Sequence, residues 1–179
     1  MHVNARQMAF TGVSLALTIL LMILSGILKF NTLFLLGAAS FFVGIVIREF
    51  GMGLGAAFYG ASILLSFMVA PNKLHCITFA AMGLYILIVE SVWRQLGRTK
   101  TALNRKALFW AAKYLIFNIL YIPILFLFPR LLFQQEHTSS YLWIALAVGQ
   151  VVLFVYDRAY EYFQFAVWGK LRKHLKLDK

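Results

Sequence analysis

The sequence predicts an all-α integral membrane protein, a bundle of about six transmembrane helices with both termini cytosolic and a basic amphipathic C-terminal extension. Three observations predict it. Hydrophobic residues make up 62% of the 179-residue chain and charged residues only 13%, whereas a soluble domain carries roughly 25% charged residues. Apolar runs of the length that crosses a bilayer, about 18 residues or more, follow one another with almost nothing between them. Lys and Arg gather in alternate connections, and basic residues in short loops resist translocation.

The first run, 8–28, follows Arg6 and lacks a small-x-small cleavage site, so it reads as a retained helix rather than a signal peptide. Ala5, Ala9, Gly12 and Ala16 fall on one stripe of it. Such a stripe lets a second helix approach closely, whether from the same chain or from a partner subunit. The second run, 32–47, is shorter than the roughly 20 residues a bilayer asks for, so it either extends into its flanks or sits in a thinned region. The third, 51–70, repeats the small-residue theme with Gly53, Ala57 and Ala61. Its glycines are no phosphate cradle, because the strand-to-helix context and the Lys-Ser/Thr of such a loop are missing.

Pro71 and Asn72 then stop the helix and leave Lys73 at the outer mouth, either as loop punctuation or as a positive group for an anionic ligand. The fourth run, 74–92, carries Tyr85 and ends near Glu90, with Arg94 one turn later as its expected partner. The fifth, 107–128, places Tyr114, Asn118 and Tyr121 on one face, and the sixth, 141–156, sets Gln150 near mid-depth. Polar groups at that depth need partners. They either bond between helices or line a cavity open to the outside together with Tyr85, Ser62, Ser66 and Thr78. Beyond Asp157 the helix continues, with Tyr156, Tyr160, Phe163 and Val167 at helical spacing and basic residues after them, the pattern of an anchor at the membrane surface.

With the N-terminus inside, the cytosolic segments hold Arg6, Arg48, Arg94, Arg98, Lys100, Arg105, Lys106 and the tail from Lys170 to Lys179. The outer loops hold only Lys29, Lys73 and Arg130. The net charge of +11 is therefore a topology signal, and no nucleic-acid partner is expected. Cys76 is the single cysteine, which excludes an intrachain disulfide and a paired-cysteine metal site.

No enzyme is expected. His75 and His137 lie at the outer boundary, too shallow to serve a buried Ser nucleophile, and no His-Glu-x-x-His segment exists. Asp157 and Glu161 share a face but lack a third ligand for a metal. No cofactor is expected either. The first three runs share no motif with the last three, which argues against an inverted-repeat transporter.

Six short-looped helices, cytosolic ends, and an opening Ala5-Arg6-Gln7-Met8-Ala9 leading into Gly12 and Ala16 resemble the substrate-binding subunit of energy-coupling-factor vitamin transporters. The resemblance implies a cell-membrane protein whose residues Ala5, Ala9, Gly12 and Ala16 dock a membrane partner subunit. It also implies ATPase partners, in keeping with the absence of a Walker motif here. A small-molecule pocket toward the outside would then draw on Asn118 and Gln150, whose amides both donate and accept, with Tyr121, Tyr85 and Trp143 as aromatic walls and Lys73 at the mouth. The chain departs from the family where Arg48-Glu49-Phe50-Gly51 replaces a Gly-Pro turn, and no signature names a particular vitamin. A reading from another class is a non-transporting membrane scaffold or assembly protein that gathers helices through the same stripes.

Overall fold

Long apolar sequences without water to bond their peptide groups satisfy them internally, and helices do this segment by segment. The computed structural model describes residues 4–28, 31–98, 105–127 and 139–174, and among these no strand occurs. The helices are α1 (Ala5–Ile27), α2 (Thr32–Phe50), α3 (Met52–Val69), α4 (Lys73–Arg98), α5 (Arg105–Leu127) and α6 (Ser139–Tyr162). A π-helical segment, Phe163–Trp168, then leads into the short α7, Gly169–His174. Lys29, Lys100, Arg130, His137, Lys176 and Lys179, used above for topology or boundary arguments, lie outside the described residues.

Five stretches of the described residues are long and apolar enough to cross a membrane: Ala5–Ile27, Thr32–Phe50, Met52–Val69, Lys73–Gly97 and Trp143–Arg172. The remaining expected span corresponds to α5, which carries Lys106, Lys113 and an internal Pro123. The fourth run, expected to end at residue 92, extends to Arg98, and two other boundaries move as well. α2 runs to Phe50 rather than residue 47 and reaches 19 residues, because Arg48 finds an acidic partner on α4 and has no need to leave the helix. The last helix continues past Asp157, as expected, and the apolar stretch reaches Arg172 rather than residue 156, with the Asp157 side chain only 1% exposed on the covered face.

The chain forms two compact units, residues 1–113 and 114–179, divided within α5. In the first unit α2 is the central element, packed against α1, α3 and α4. Of its most apolar window 56% is buried, against 22% for α1 and for α3. A helix apolar on every side belongs in such a place. Its neighbours are arranged inside out relative to a soluble protein. α1 buries Ser14, Thr18, Met22 and Ser25 while exposing Val13, Leu17 and Leu20, and α3 buries Gly55, Phe58, Ser62 and Ser66 while exposing Leu64, Phe67 and Met68.

Three buried hydroxyls bond to a carbonyl of their own helix. Thr18 Oγ1 donates to Ser14 O at 2.9 Å, Ser62 Oγ to Phe58 O at 2.8 Å and Ser40 Oγ to Gly37 O at 2.6 Å. Each is satisfied within its own turn, and its small size lets backbones come close, the way helices associate in lipid.

Candidate functional site

The small-residue stripe of α1 is uncovered. Ala5, Ala9, Gly12 and Ala16 are all exposed, and a Cβ built at Gly12 would meet nothing within 4 Å. The helix turns another side to its own unit, where Phe10 meets Phe50 edge-on at 5.5 Å between ring centroids. Among the described residues none covers the stripe.

Of the expected pocket residues in the second unit, three meet and one stands apart. In the second unit Gln150 Nε2 of α6 donates to Asn118 Oδ1 of α5 at 2.8 Å, and Asn118 Nδ2 donates to Tyr114 O at 2.8 Å. Three residues further along α5, the Tyr121 hydroxyl donates to Ala145 O at 2.9 Å, and its ring lies against Gly149 and stacks on Phe117 at 4.9 Å. Asn118, Gln150 and Tyr121 are therefore brought together, as one polar seam between two helices. Trp143, 73% exposed, stands outside that seam.

Interhelical hydrogen bonds in membranes contribute about 0.6 to 2 kcal/mol each. Asn118→Leu and Gln150→Leu are each expected to destabilise the protein by about 1 kcal/mol, and the double variant by clearly less than the sum. Thermal unfolding of the three proteins in one detergent checks this. Full additivity would show that the two amides do not support one another.

Tyr85 and Lys73 belong to the first unit. Tyr85 is 4% exposed within the α4 packing. Lys73 reaches back to donate its ammonium to Phe67 O and lies 4.9 Å from the centroid of the Phe67 ring, so it caps the last turn of α3. A cation there also meets the negative end of the helix.

Beside it is a network that the sequence does not announce. Asn72 Oδ1 accepts the Leu74 N–H at 3.0 Å, which turns Asn72 Nδ2 toward His75 Nε2, 3.3 Å away. Nε2 must then accept, so the proton of a neutral ring sits on Nδ1, 3.3 Å from Ser25 Oγ of α1. Ser25 in turn donates to Met22 O at 2.7 Å. The Asn-x-x-His spacing at the start of α4 is the one sequence signal for this latch. Next to it, Cys76 Sγ faces Ser66 O at 3.3 Å. The arrangement holds α1 to α4. Among the described residues no group of three His, Cys, Asp or Glu side chains is placed to bind a metal.

At the far end of α4, Glu90 does not take the partner expected one turn along. Arg48 of α2 meets it instead, with Nε at 2.7 Å and a terminal guanidinium nitrogen at 2.5 Å from the same carboxylate oxygen. Arg94 donates to Ile47 O, a carbonyl of the last turn of α2, at 2.5 Å. The i, i+4 spacing is correct for a pair, but α2 lies close enough to give each group a partner that also ties two helices together.

No protein-family model, curated protein or solved structure matches the chain.

Proposed function

We propose that the chain is a multi-pass membrane protein serving as the solute-binding subunit of an uptake system for a vitamin or similar small molecule, with both termini cytosolic. The observation that carries this reading is the uncovered stripe Ala5, Ala9, Gly12 and Ala16 on α1, a surface suited to close approach by a helix of a membrane partner. ATPase subunits beyond that partner would supply energy. A solute taken up between α5 and α6 would exchange the Asn118–Gln150 hydrogen bond for bonds of its own.

A second reading, a non-transporting scaffold or assembly protein, is favoured by that same bond, because amides that satisfy one another need no ligand. Both readings use the stripe. They part at the solute.

The test begins with Gly12→Leu and Ala9→Trp, which point bulk into open space and are expected to abolish co-purification of a membrane partner while the isolated protein keeps its melting temperature. If they unfold the isolated protein, the stripe is not a docking surface. Mass spectrometry of small molecules retained on the purified complex then separates the readings. A retained solute whose affinity falls in Asn118→Leu supports uptake, and a captured partner with no solute supports the scaffold.

Orientation is checked by cysteines at Thr99, which lies outside the described residues, and at Ser139, with Cys76 replaced. Only the second is expected to react with an impermeant reagent in intact cells.

A further inference from the structure

The turn between α3 and α4 is seated on the end of α1 at two points. A Cβ built at Gly26 would lie 3.2 Å from Cδ and Cγ of Pro71, and Ser25 Oγ lies 3.3 Å from His75 Nδ1. Among the described residues the two ring nitrogens of His75 meet only Ser25 and Asn72.

Every hydrogen in this chain of contacts already has its place. Ser25 directs its hydroxyl hydrogen to Met22 O, so its oxygen is left to accept from Nδ1. Asn72 keeps Oδ1 on the Leu74 N–H, so Nδ2 is the group that faces Nε2. A neutral imidazole with its hydrogen on Nδ1 satisfies both neighbours. An imidazolium cannot, because both of its nitrogens donate and Nε2–H would point at an amide N–H. To offer an acceptor, Asn72 would have to turn its amide over and release the Leu74 N–H, one of the donors that the first turn of a helix leaves without a partner.

The surroundings do not offset the added charge. Three helices of the first unit, α1, α2 and α3, pack against α4. None brings a titratable side chain to this end, since residues 18–27, 32–40 and 60–69 contain none. On α4 itself the neighbours are Lys73, whose ammonium meets Phe67 O, and the thiol of Cys76, which faces Ser66 O. Lys73 has the same sign as an imidazolium, and so has the start of a helix. The carboxylate of Glu90 is at the other end of α4, engaged by Arg48.

We infer that His75 is a proton-sensitive latch between the end of α1 and the start of α4. With the ring neutral, α1, His75 and the Asn72 turn are bonded in series. With the ring protonated, the bond to Asn72 is lost and this end of the unit loosens, while the Arg48–Glu90 pair holds α2 to α4 at the other end. The latch is closed above the ordinary imidazole range, about pH 6.5, and opens as the pH falls below it. The inference does not rest on the transport reading.

Cys76 reports the opening, being the single cysteine of the chain, 3% exposed, and next to His75. The full chain in detergent is treated with dithiodipyridine at about pH 7.5 and about pH 5.5, on either side of the ordinary imidazole value. Each labelling rate is divided by that of His75→Gln at the same pH, which removes the thiol's own pH dependence. For the unsubstituted protein this ratio is expected to rise roughly fivefold on acidification, the change that one lost hydrogen bond makes in an opening equilibrium. Asn72→Asp keeps an oxygen for the Leu74 N–H and gives Nε2–H a carboxylate oxygen, so its ratio should fall on acidification instead. Opposite signs in the two proteins support the latch. A ratio that does not change with pH in the unsubstituted protein, or that changes alike in both, overturns it. Should His75→Gln fail to fold, the Asn72→Asp rate divided by the unsubstituted rate decides. A fall on acidification supports the latch, and a flat or rising value overturns it.

Discussion

Arg48→Met is expected to destabilise the protein by about 3 kcal/mol, the lower end of the cost of breaking a buried ion pair. Glu90 is the reason. Its side chain is 4% exposed, and two guanidinium nitrogens of Arg48 converge on one of its carboxylate oxygens at 2.5 and 2.7 Å. Taking away the guanidinium leaves the carboxylate covered without that charge. The Arg48 side chain is itself 37% exposed, so solvent tempers the loss. The double variant Arg48→Met, Glu90→Met removes both charges and is expected to recover most of the stability, since replacing a whole buried pair by apolar groups is often near neutral. A double-mutant cycle by chemical unfolding in mixed micelles measures the coupling. If Arg48→Met and the double variant fall equally, the carboxylate does not depend on Arg48 and the cross-helix pair is ornamental.

A comparable loss, about 3 kcal/mol, is expected of Gly149→Leu, combining overpacking with a lost hydrogen bond. A Cβ at Gly149 would lie 2.5 Å from Tyr121 Cε1 and 2.8 Å from its hydroxyl oxygen. The ring has to withdraw, and its hydroxyl then releases Ala145 O. The first unit repeats the device with other helices. Tyr59 of α3 donates to Ala80 O of α4 at 2.6 Å, and a Cβ at Gly83 would lie 2.6 Å from the Tyr59 ring. In each case a tyrosine reaches across to a carbonyl and rests its ring on a glycine about one turn further along the partner helix. Tyr121→Phe keeps the ring and loses only the hydrogen bond, so it should cost about 1 kcal/mol. Tyr121→Leu combined with Gly149→Ala should recover part of the overpacking loss. If Gly149→Leu melts with the unsubstituted protein, the α5–α6 contact is looser than the Tyr121 geometry requires.

Five long apolar helices are legible because hydropathy and length decide them, whereas α5, with Lys106, Lys113 and Pro123, is not among those long and apolar enough to cross a membrane. The stripe of α1 is legible too, since helical spacing puts Ala5, Ala9, Gly12 and Ala16 on one line before any neighbour is known. What the sequence leaves open is which polar groups meet across helices. Glu90 has Arg94 at an ideal local spacing, yet the pair forms with Arg48, forty-two positions away. Asn118 and Gln150 read equally well as pocket walls or as partners, and only the packing of α5 on α6 decides that one amide bonds the other. Lys73 reads as a charge at a mouth until its ammonium is seen to close the end of α3. The π segment is hidden for a related reason. Its sequence, Phe163 to Trp168, continues an apolar α period without interruption, and the extra residue shows only in which side chains are covered.

The join between α2 and α3 has a consequence for how the protein is made. Gly51 is the whole connection, the final cap of one helix and the first cap of the next, with φ 97° and ψ 171°. Any other residue is strained at that backbone angle. Two apolar helices separated by one residue leave no loop between them that could be arranged on its own. They would leave the ribosome as a single folded-back pair, and the insertion machinery would choose a side for both at once. Arg48, lying just before the join, would pin that choice for the pair. Gly51→Val would then show its first effect during biosynthesis, as newly made chains with the hairpin unformed and degraded, before any measurement on the mature protein could detect it.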